Sequence, residues 1–203
     1  MPDRRPNAQR TRETRGRILW AARQLFAEKG YAAASTPAIV ASAKVTRGAL
    51  YHHFPDKAAV FAGVVNAELA DVALRMSKAS LANRDPVEQL ILGGEAYVIA
   101  MAEPGRRRIL LVEGAVVLGP DRIEALRGQH LKTRLESGLR QIVAAGIVPD
   151  LPVAPLADLL AALFDRVALT AERETFQGYR LALRALIGGL KAPAPAPGDF
   201  VLG

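Results

Sequence analysis

Residues 46–53, Thr-Arg-Gly-Ala-Leu-Tyr-His-His, carry side chains that can bind a nucleic acid. Arg47 can bond a guanine edge or a phosphate, and Tyr51 can donate a hydrogen bond to a phosphate. Gly48 lets the backbone come close to a partner. On a helix these three residues share the outer face with His52. Such a face suits a helix that enters a DNA groove; the alternative is an ordinary short surface helix.

The neighbouring residues predict a short helix for this run and a second short helix before it. Thr46 can cap the helix, and Pro55 ends it because a residue before proline avoids the α region. The preceding helix is predicted over about residues 36–42, with a turn of three residues between the two. This arrangement indicates a helix-turn-helix. Lys44 stands in the turn where glycine is preferred, which implies backbone strain if that residue is left-handed.

Basic residues are concentrated at the N-terminal end of the chain. Residues 1–57 hold eleven lysines and arginines and four acidic residues, a net charge of +7, whereas the remaining residues are neutral in sum. This asymmetry predicts a polyanionic partner, which is double-stranded DNA if the short helix enters a groove. A solvated basic tail at residues 1–17 would explain part of the excess but not Lys44, Arg47 and Lys57.

Composition excludes several classes of protein. The 203 residues are half hydrophobic, which is ample for a core. Because cysteine is absent, disulfides, thiolate metal sites and cysteine nucleophiles are excluded. The Arg-rich N-terminus lacks the apolar segment of a secretory signal, and no apolar run approaches the ~18 residues of a membrane span. We therefore expect a soluble cytoplasmic protein without a membrane partner.

Enzymatic residue patterns are also missing. The chain has three histidines, and adjacent His52 and His53 point about 100° apart on a helix, which makes a poor metal pair. Neither a Gly-rich phosphate loop nor a nucleophile motif is present. The sequence thus predicts a protein that is not an enzyme, with no catalytic residue, metal site or cofactor.

The remaining residues predict further helices and no strands. No segment alternates as a strand over more than a few residues, so we expect an all-α fold with about nine helices. A disordered arm is predicted over residues 1–9 and a Pro-rich tail over residues 192–203. The predicted helices span about residues 11–29, 36–42, 47–53, 56–81, 86–103, 106–118, 121–145, 153–172 and 175–191.

The last two predicted helices carry apolar stripes at alternating spacings of three and four residues. This period is typical of a helix packed along another helix, and it predicts a four-helix interface between two copies of the chain. The alternative is that both stripes bury within one bundle. The stripes consist of Leu156, Leu160, Leu163 and Val167 on the eighth helix and Phe176, Tyr179, Leu183, Leu186 and Leu190 on the ninth.

A small-molecule cavity is predicted among the apolar helices of the C-terminal region, because such sites combine apolar walls with few polar anchors. Each candidate could instead be ordinary core. Glu113 stands in an apolar run, where its carboxylate needs a partner or solvent; a bound cation or an arginine of residues 106–108 could serve. The candidate cavity residues are Tyr97, Met101, Glu113, Val117, Phe164 and Asp165.

Two stretches together resemble a known family. The first is Arg17-Ile18-Leu19-x-Ala21-Ala22-x-x-Leu25-Phe26-x-x-x-Gly30-Tyr31. The second combines Thr36-x-x-Ile39 with Ala43-x-Val45-Thr46-Arg47-Gly48-Ala49-Leu50-Tyr51-His52-His53-Phe54-x-Asp56-Lys57. They resemble the DNA-binding domain of the TetR family of bacterial regulators over roughly residues 11–61. Later helices are similar to the family in number and order only.

The resemblance implies a fold, an assembly and a mode of action. It implies an all-α, Ω-shaped homodimer built on the last two helices, a ligand cavity in the C-terminal bundle, and repression at a palindromic operator that a small molecule relieves. Residues 10–57 would bind DNA, and residues 58–191 would bind the ligand and dimerise. The alternative is a DNA-binding regulator without a small-molecule inducer, controlled by a protein partner or acting as an activator.

Matching positions carry over a set of DNA contacts. Gly48 is one of these contacts because a glycine lets the helix backbone come close to the DNA. The resemblance implies phosphate contacts for Thr36, Thr46, Tyr51 and Lys57, and base-edge contacts for Arg47 and His52. His53 matches as well, and its role is either a phosphate contact or support of the helix from its buried side.

Overall fold

The computed structural model describes residues 7–172 and 174–191, and these residues form helices without strands, which confirms the predicted all-α fold. Each helix is numbered in chain order. They are α1 (Asn7–Ala33), α2 (Thr36–Ala43), α3 (Arg47–His53), α4 (Lys57–Ser80), α5 (Pro86–Met101), α6 (106–118), α7 (120–144), α8 (Val153–Thr170) and α9 (Phe176–Gly188), the last followed by a 3₁₀ turn at Gly189–Lys191.

The ends of the first helix differ from the prediction. α1 begins at Asn7, so residues 7–9 of the predicted arm are helical, and residues 1–6 lie outside the described part of the chain. The Pro-rich tail predicted at residues 192–203 also lies outside it. Gly30 has non-helical backbone angles, φ 80° and ψ 168°, and it interrupts α1 directly after the predicted last residue of this helix. One further turn follows.

Two helices contain a π-helical turn that sequence patterns do not predict. In α6 this turn is Arg108–Val112, and in α7 it is Gly128–Lys132. The Thr133 hydroxyl donates to the Gly128 carbonyl at 2.7 Å, which supplies a partner for a backbone oxygen in the widened turn of α7. No helix of residues 7–172 and 174–191 combines the length and apolarity needed to cross a bilayer.

The described residues pack as two units. The N-terminal unit contains the residues up to Asp71 together with residues 102–127, and the bundle unit contains residues 72–101 together with those from Gly128 onward. α4 begins in the first unit and ends in the second, because it runs from Lys57 to Ser80. The predicted boundary after residue 57 separates a DNA-binding region from a ligand-binding and dimerisation region, and it stays a prediction.

Each unit has its own apolar core. Phe26 and Phe61 are fully buried in the N-terminal unit, where their rings meet edge to face at 5.1 Å. Leu50 of α3 is also fully buried. In the bundle unit Leu139 and Ile142 of α7 are fully buried. The inward face of α3 is therefore fixed by core packing, which leaves its other face available to a partner.

Gly105 is a position where only glycine fits. Its φ is 76°, and an added Cβ would lie 2.2 Å from Ala27 Cβ and 2.5 Å from Ala27 Cα. We expect Gly105→Ala to lower the free energy of unfolding by about 2–5 kcal/mol, because backbone strain and overpacking add. Gly119 is the matched control, since its φ is 80° and nothing lies within 4 Å of the added Cβ.

Gly119→Ala carries the backbone strain alone, so its cost is expected at about 1–2 kcal/mol. Urea unfolding of both variants measures the difference. Equal midpoints for the two would contradict the close packing of Gly105 against α1.

Candidate nucleic-acid interface and ligand cavity

Side-chain caps define the predicted helix-turn-helix. Ser35 caps α2, since the Ala38 N–H donates to Ser35 Oγ at 3.3 Å. Thr46 caps α3, since the Ala49 N–H donates to Thr46 Oγ1 at 3.1 Å. Between them Lys44 adopts φ 51° and ψ 49°, the left-handed conformation considered for this turn. The two helices therefore begin and end where the sequence predicts.

Two arginines of α1 contact the chain on either side of α3, one in the turn before this helix and one just after the helix ends. Arg17 Nη1 donates to the Lys44 carbonyl at 3.4 Å, at the strained residue of the turn. The Arg15 guanidinium lies over the Phe54 ring at 5.1 Å, just after α3 ends. Because Lys44 and Phe54 both contact α1, the orientation of α3 within the N-terminal unit is set by side chains of the first helix.

The outward face of α3 contains five of the predicted contact residues. Thr46, Arg47, Gly48, Tyr51 and His52 are all exposed. The Arg47 guanidinium lies over the Tyr51 ring at 5.6 Å, a cation–π contact that orients both side chains. The cap at Thr46 uses a lone pair of its hydroxyl, so the proton can still be donated to a phosphate.

His53 faces the protein more than the solvent. It is half-buried, and its ring meets the His52 ring at 5.4 Å. Burial lowers the pKa of His53, and the charges of His52 and Arg15 lower it further. A neutral imidazole on this side of α3 fits support of the helix better than attraction of a phosphate.

Lys57 holds the chain segment that follows Gly30. Its Nζ donates to the Tyr31 carbonyl at 2.9 Å and to the Ala32 carbonyl at 3.4 Å, and it lies 4.2 Å from the centre of the Tyr31 ring. An ammonium has three donors, so one remains for a phosphate. Thr36, the first residue of α2, is half-buried.

Glu113 does not belong to the predicted cavity. Its Oε2 accepts a hydrogen bond from the Tyr31 N–H at 2.9 Å, within the N-terminal unit. Gly30 makes room for this contact, because a Cβ there would lie 2.6 Å from Glu113 Oε1. The partner that the structure shows for this carboxylate is thus a backbone donor, which differs from the two that the sequence suggested. Val117 of α6 lies in the same unit and not in the bundle.

A buried ionic cluster joins α1, α4 and the start of α6. Arg106 is 3% exposed, and it bonds Glu68 at 2.7 Å and Asp71 at 2.8 Å. Arg23 of α1 pairs with Glu68 at 3.3 Å. A buried guanidinium requires such partners, so the cluster fixes where α6 packs on α4.

The bundle unit contains a cavity of about 410 Å³, with walls from the end of α4, from α5, from α7 and from Phe164 of α8. Of the six predicted cavity residues, only Phe164 lines it. The Tyr97 hydroxyl donates to the Asp165 carboxylate, so these two satisfy one another in the bundle interior. Met101 is fully buried core. The bundle unit therefore contains a cavity, and most of the residues that the sequence suggested for one lie outside its walls.

Sequence reasoning missed the polar residues of this cavity. Ser77, Gln89, Arg134 and Gln141 all contribute to its walls. An isolated polar residue within an apolar run is conspicuous, whereas these residues lie near other polar ones, as in residues 132–138. No local pattern distinguishes a polar residue at a cavity from one at the surface.

The predicted apolar stripes divide into core and surface. Leu160, Val167 and Leu183 are buried within one chain, so these three belong to the bundle core and not to an interface. Leu186 is 59% exposed. The remaining predicted interface residues are half-buried: Leu156, Leu163, Phe176, Tyr179 and Leu190.

Three further leucines of the last two helices are exposed. Leu159 of α8 is 70% exposed, and Leu181 of α9 is 69% exposed. Leu169 is also exposed.

The chain matches two family profiles. One is described as "Bacterial regulatory proteins, tetR family" and matches residues 18–64. The other is described as "Tetracyclin repressor-like, C-terminal domain" and matches residues 87–190, about half of the chain. The first contains the whole helix-turn-helix, and the second contains most of the cavity walls.

Individual proteins agree with these profiles. The HTH-type transcriptional regulator UidR of Escherichia coli K12 is 31% identical over 189 residues, which cover 87% of this chain and 92% of UidR. A TetR-family regulator of Pectobacterium atrosepticum is 30% identical, with a TM-score of 0.75 over 94% of this chain and all of that one. RolR, crystallised with resorcinol, is 20% identical, with a TM-score of 0.67 over 93% of this chain and 98% of RolR, and shows the fold alone. The chain therefore belongs to the TetR family of bacterial DNA-binding transcriptional regulators.

Proposed function

We propose that the protein is a homodimeric repressor that binds a palindromic operator and releases it when a small molecule fills the bundle cavity. Residues 10–57 bind DNA, and residues 58–191 bind the ligand and dimerise, in the cytoplasm. The observation that carries the proposal is the outward face of α3, where Arg47, Gly48 and Tyr51 are exposed together on a helix held at both ends.

The contacts divide by chemistry. Arg47 and His52 read base edges, because they are the exposed side chains with donors suited to a groove. Phosphates are held by the Thr36, Thr46 and Tyr51 hydroxyls and by the third donor of Lys57. Gly48 allows the helix backbone to approach the DNA. His53 supports α3 from behind.

Exposed leucines support the dimer. One helix-turn-helix reads about one half-site, so specific binding usually needs two copies at a fixed spacing. Leu159, Leu181 and Leu186 supply an apolar face on the last two helices that a second copy of this chain would cover.

α4 is the helix through which ligand binding in the cavity would change DNA binding. Glu68 and Asp71 of this helix bind Arg106 within the N-terminal unit. Ser77 and Ser80 of the same helix line the cavity. A ligand that contacts the end of α4 therefore acts on the helix that follows α3 directly. The presence of resorcinol in RolR shows that a protein of this fold can hold a small molecule.

The proposal is tested by selecting binding sites for the full chain from random DNA. We expect a palindrome whose half-sites are about 34 Å or a multiple apart. Binding should weaken as the salt concentration rises, with a logarithmic slope of roughly −2 or steeper, because Lys57 of each of the two protomers neutralises a phosphate. A slope near zero, or selected sites without symmetry, would contradict the proposal.

A further inference from the structure

We propose that the bundle cavity binds a small organic carboxylate with an apolar body, and that the Arg134 guanidinium holds the carboxylate. The inference rests on the proposed function, since it names the chemical class of the molecule that fills the cavity. It depends on three features of the cavity: one uncompensated positive charge, an anchor that orients it, and an apolar wall beside it.

Arg134 is the charged side chain of the cavity wall. The wall, within the described part of the chain, contains no aspartate or glutamate, and no carboxylate of the described residues lies within ion-pair distance of Arg134. Two other arginines of the bundle unit lie in ion pairs: Arg140 pairs with Glu136, and Arg184 pairs with Glu95 at 2.7 Å. Arg134 is exposed and its guanidinium bonds the neutral Ser77 hydroxyl, so its charge remains available to a ligand in the cavity.

Ser77 anchors this guanidinium. The Ser77 hydroxyl donates to the Ala73 carbonyl at 2.9 Å, and Arg134 Nη1 donates to Ser77 Oγ at 2.8 Å. The serine thus acts as a neutral acceptor that orients the arginine without cancelling its charge. A guanidinium has five N–H donors, so fixing one leaves a pair for a bidentate carboxylate.

A single guanidinium decides which anion fits. One positive charge matches one carboxylate, whereas a dianionic phosphate ester would favour further cations that this wall lacks. The cavity volume of about 410 Å³ lies in the range of small-molecule sites. A carboxylate of this size is amphipathic, because the rest of it must contact the apolar wall.

Phe164 forms the apolar wall, and Gly94 sets its position. A Cβ at Gly94 would lie 2.3 Å from the Phe164 ring, so the ring lies directly on the backbone of α5. Leu90 and Leu135 complete this side. A flat or ring-shaped ligand body stacks on such a surface, with its carboxylate toward Arg134.

The inference is tested by calorimetric titration of the full chain with three acids: cinnamate, 4-phenylbutyrate and indole-3-acetate. The primary amide of each acid is titrated as its control. The amide keeps the shape and removes the charge. We expect the acids to bind about 10- to 100-fold more tightly than the amides, because a charge-assisted bidentate contact is lost. In Arg134→Gln this preference should disappear while the melting temperature stays unchanged, since Arg134 is exposed.

Arg140→Gln is the matched control. Arg140 lies on the same helix but outside the cavity, so that variant should keep the preference for acids. Equal binding of each acid and its amide, no binding of any acid, or an unchanged preference in Arg134→Gln would overturn the inference.

Operator release, measured in the same samples, separates this inference from the proposed function. Acids that bind through Arg134 without releasing DNA would support the carboxylate site and contradict the effector role. A neutral compound that releases DNA equally from the wild type and from Arg134→Gln would support the effector role and overturn the carboxylate site.

Discussion

Replacing Arg47 by alanine is expected to weaken operator binding by at least about 30-fold and to relax base preference at one position of each half-site. A bidentate arginine–guanine contact contributes about 1–3 kcal/mol of discrimination, and a dimer makes the contact twice. Quantitative binding to the selected operator, and to operators changed at each position in turn, measures both effects.

Tyr51 requires a variant that leaves Arg47 in place. The Arg47 guanidinium lies on the Tyr51 ring, so removing the ring would also disturb the base contact. Tyr51→Phe removes only the hydroxyl. It should weaken binding several-fold on every sequence, because a phosphate contact positions the protein and does not specify bases.

The two variants check one another. Both residues are exposed, so neither change should alter the free energy of unfolding by more than about 0.5 kcal/mol. A relaxed base preference in Tyr51→Phe with an unchanged preference in Arg47→Ala would reverse the assigned roles.

Local sequence patterns were sufficient for the DNA-binding helix. Thr46 predicts the start of α3 through its capping oxygen, and Pro55 predicts its end through a steric restriction on the residue before it. Both effects act within one or two turns, so they can be found in a single stretch of sequence. The left-handed Lys44 follows from the same short-range geometry of the turn.

Long-range partners could not be predicted in this way. Glu113 in an apolar run indicates only that its carboxylate needs a donor, and the donor is the Tyr31 N–H, 82 residues earlier. Arg134 was missed for the converse reason, because a polar residue among polar neighbours gives no sign of the cavity beside it. Both positions depend on which helices meet, and a single sequence does not specify this.

The apolar stripes show a related limit of helical periodicity. A spacing of three and four residues predicts that a face is covered, but not whether the same chain or a second copy covers it. Leu183 is 3% exposed and Leu186 is 59% exposed, although both fit the same stripe. Only burial in the folded chain separates the core residue from the candidate interface residue.

Leu186→Glu and Leu181→Glu are each expected to convert the protein to a monomer and to weaken operator binding by about 10²–10⁴-fold. Two like charges would face one another across the four-helix interface, and a monomer loses the effective concentration that the second half-site provides. Because both leucines are exposed within one chain, the monomers should remain folded. Sedimentation velocity and operator titration measure the two effects.

Two controls make the dimer prediction specific. Val116→Glu places a charge at another exposed apolar residue, 84% exposed on α6, and should leave both the dimer and operator binding intact. Leu183→Glu places the charge in the bundle core, so it should unfold the bundle unit instead of releasing folded monomers. Dimers that persist in both Leu186→Glu and Leu181→Glu would show that a second copy does not cover this face, and the assembly would then have to be sought on the half-buried residues Leu156 and Leu163.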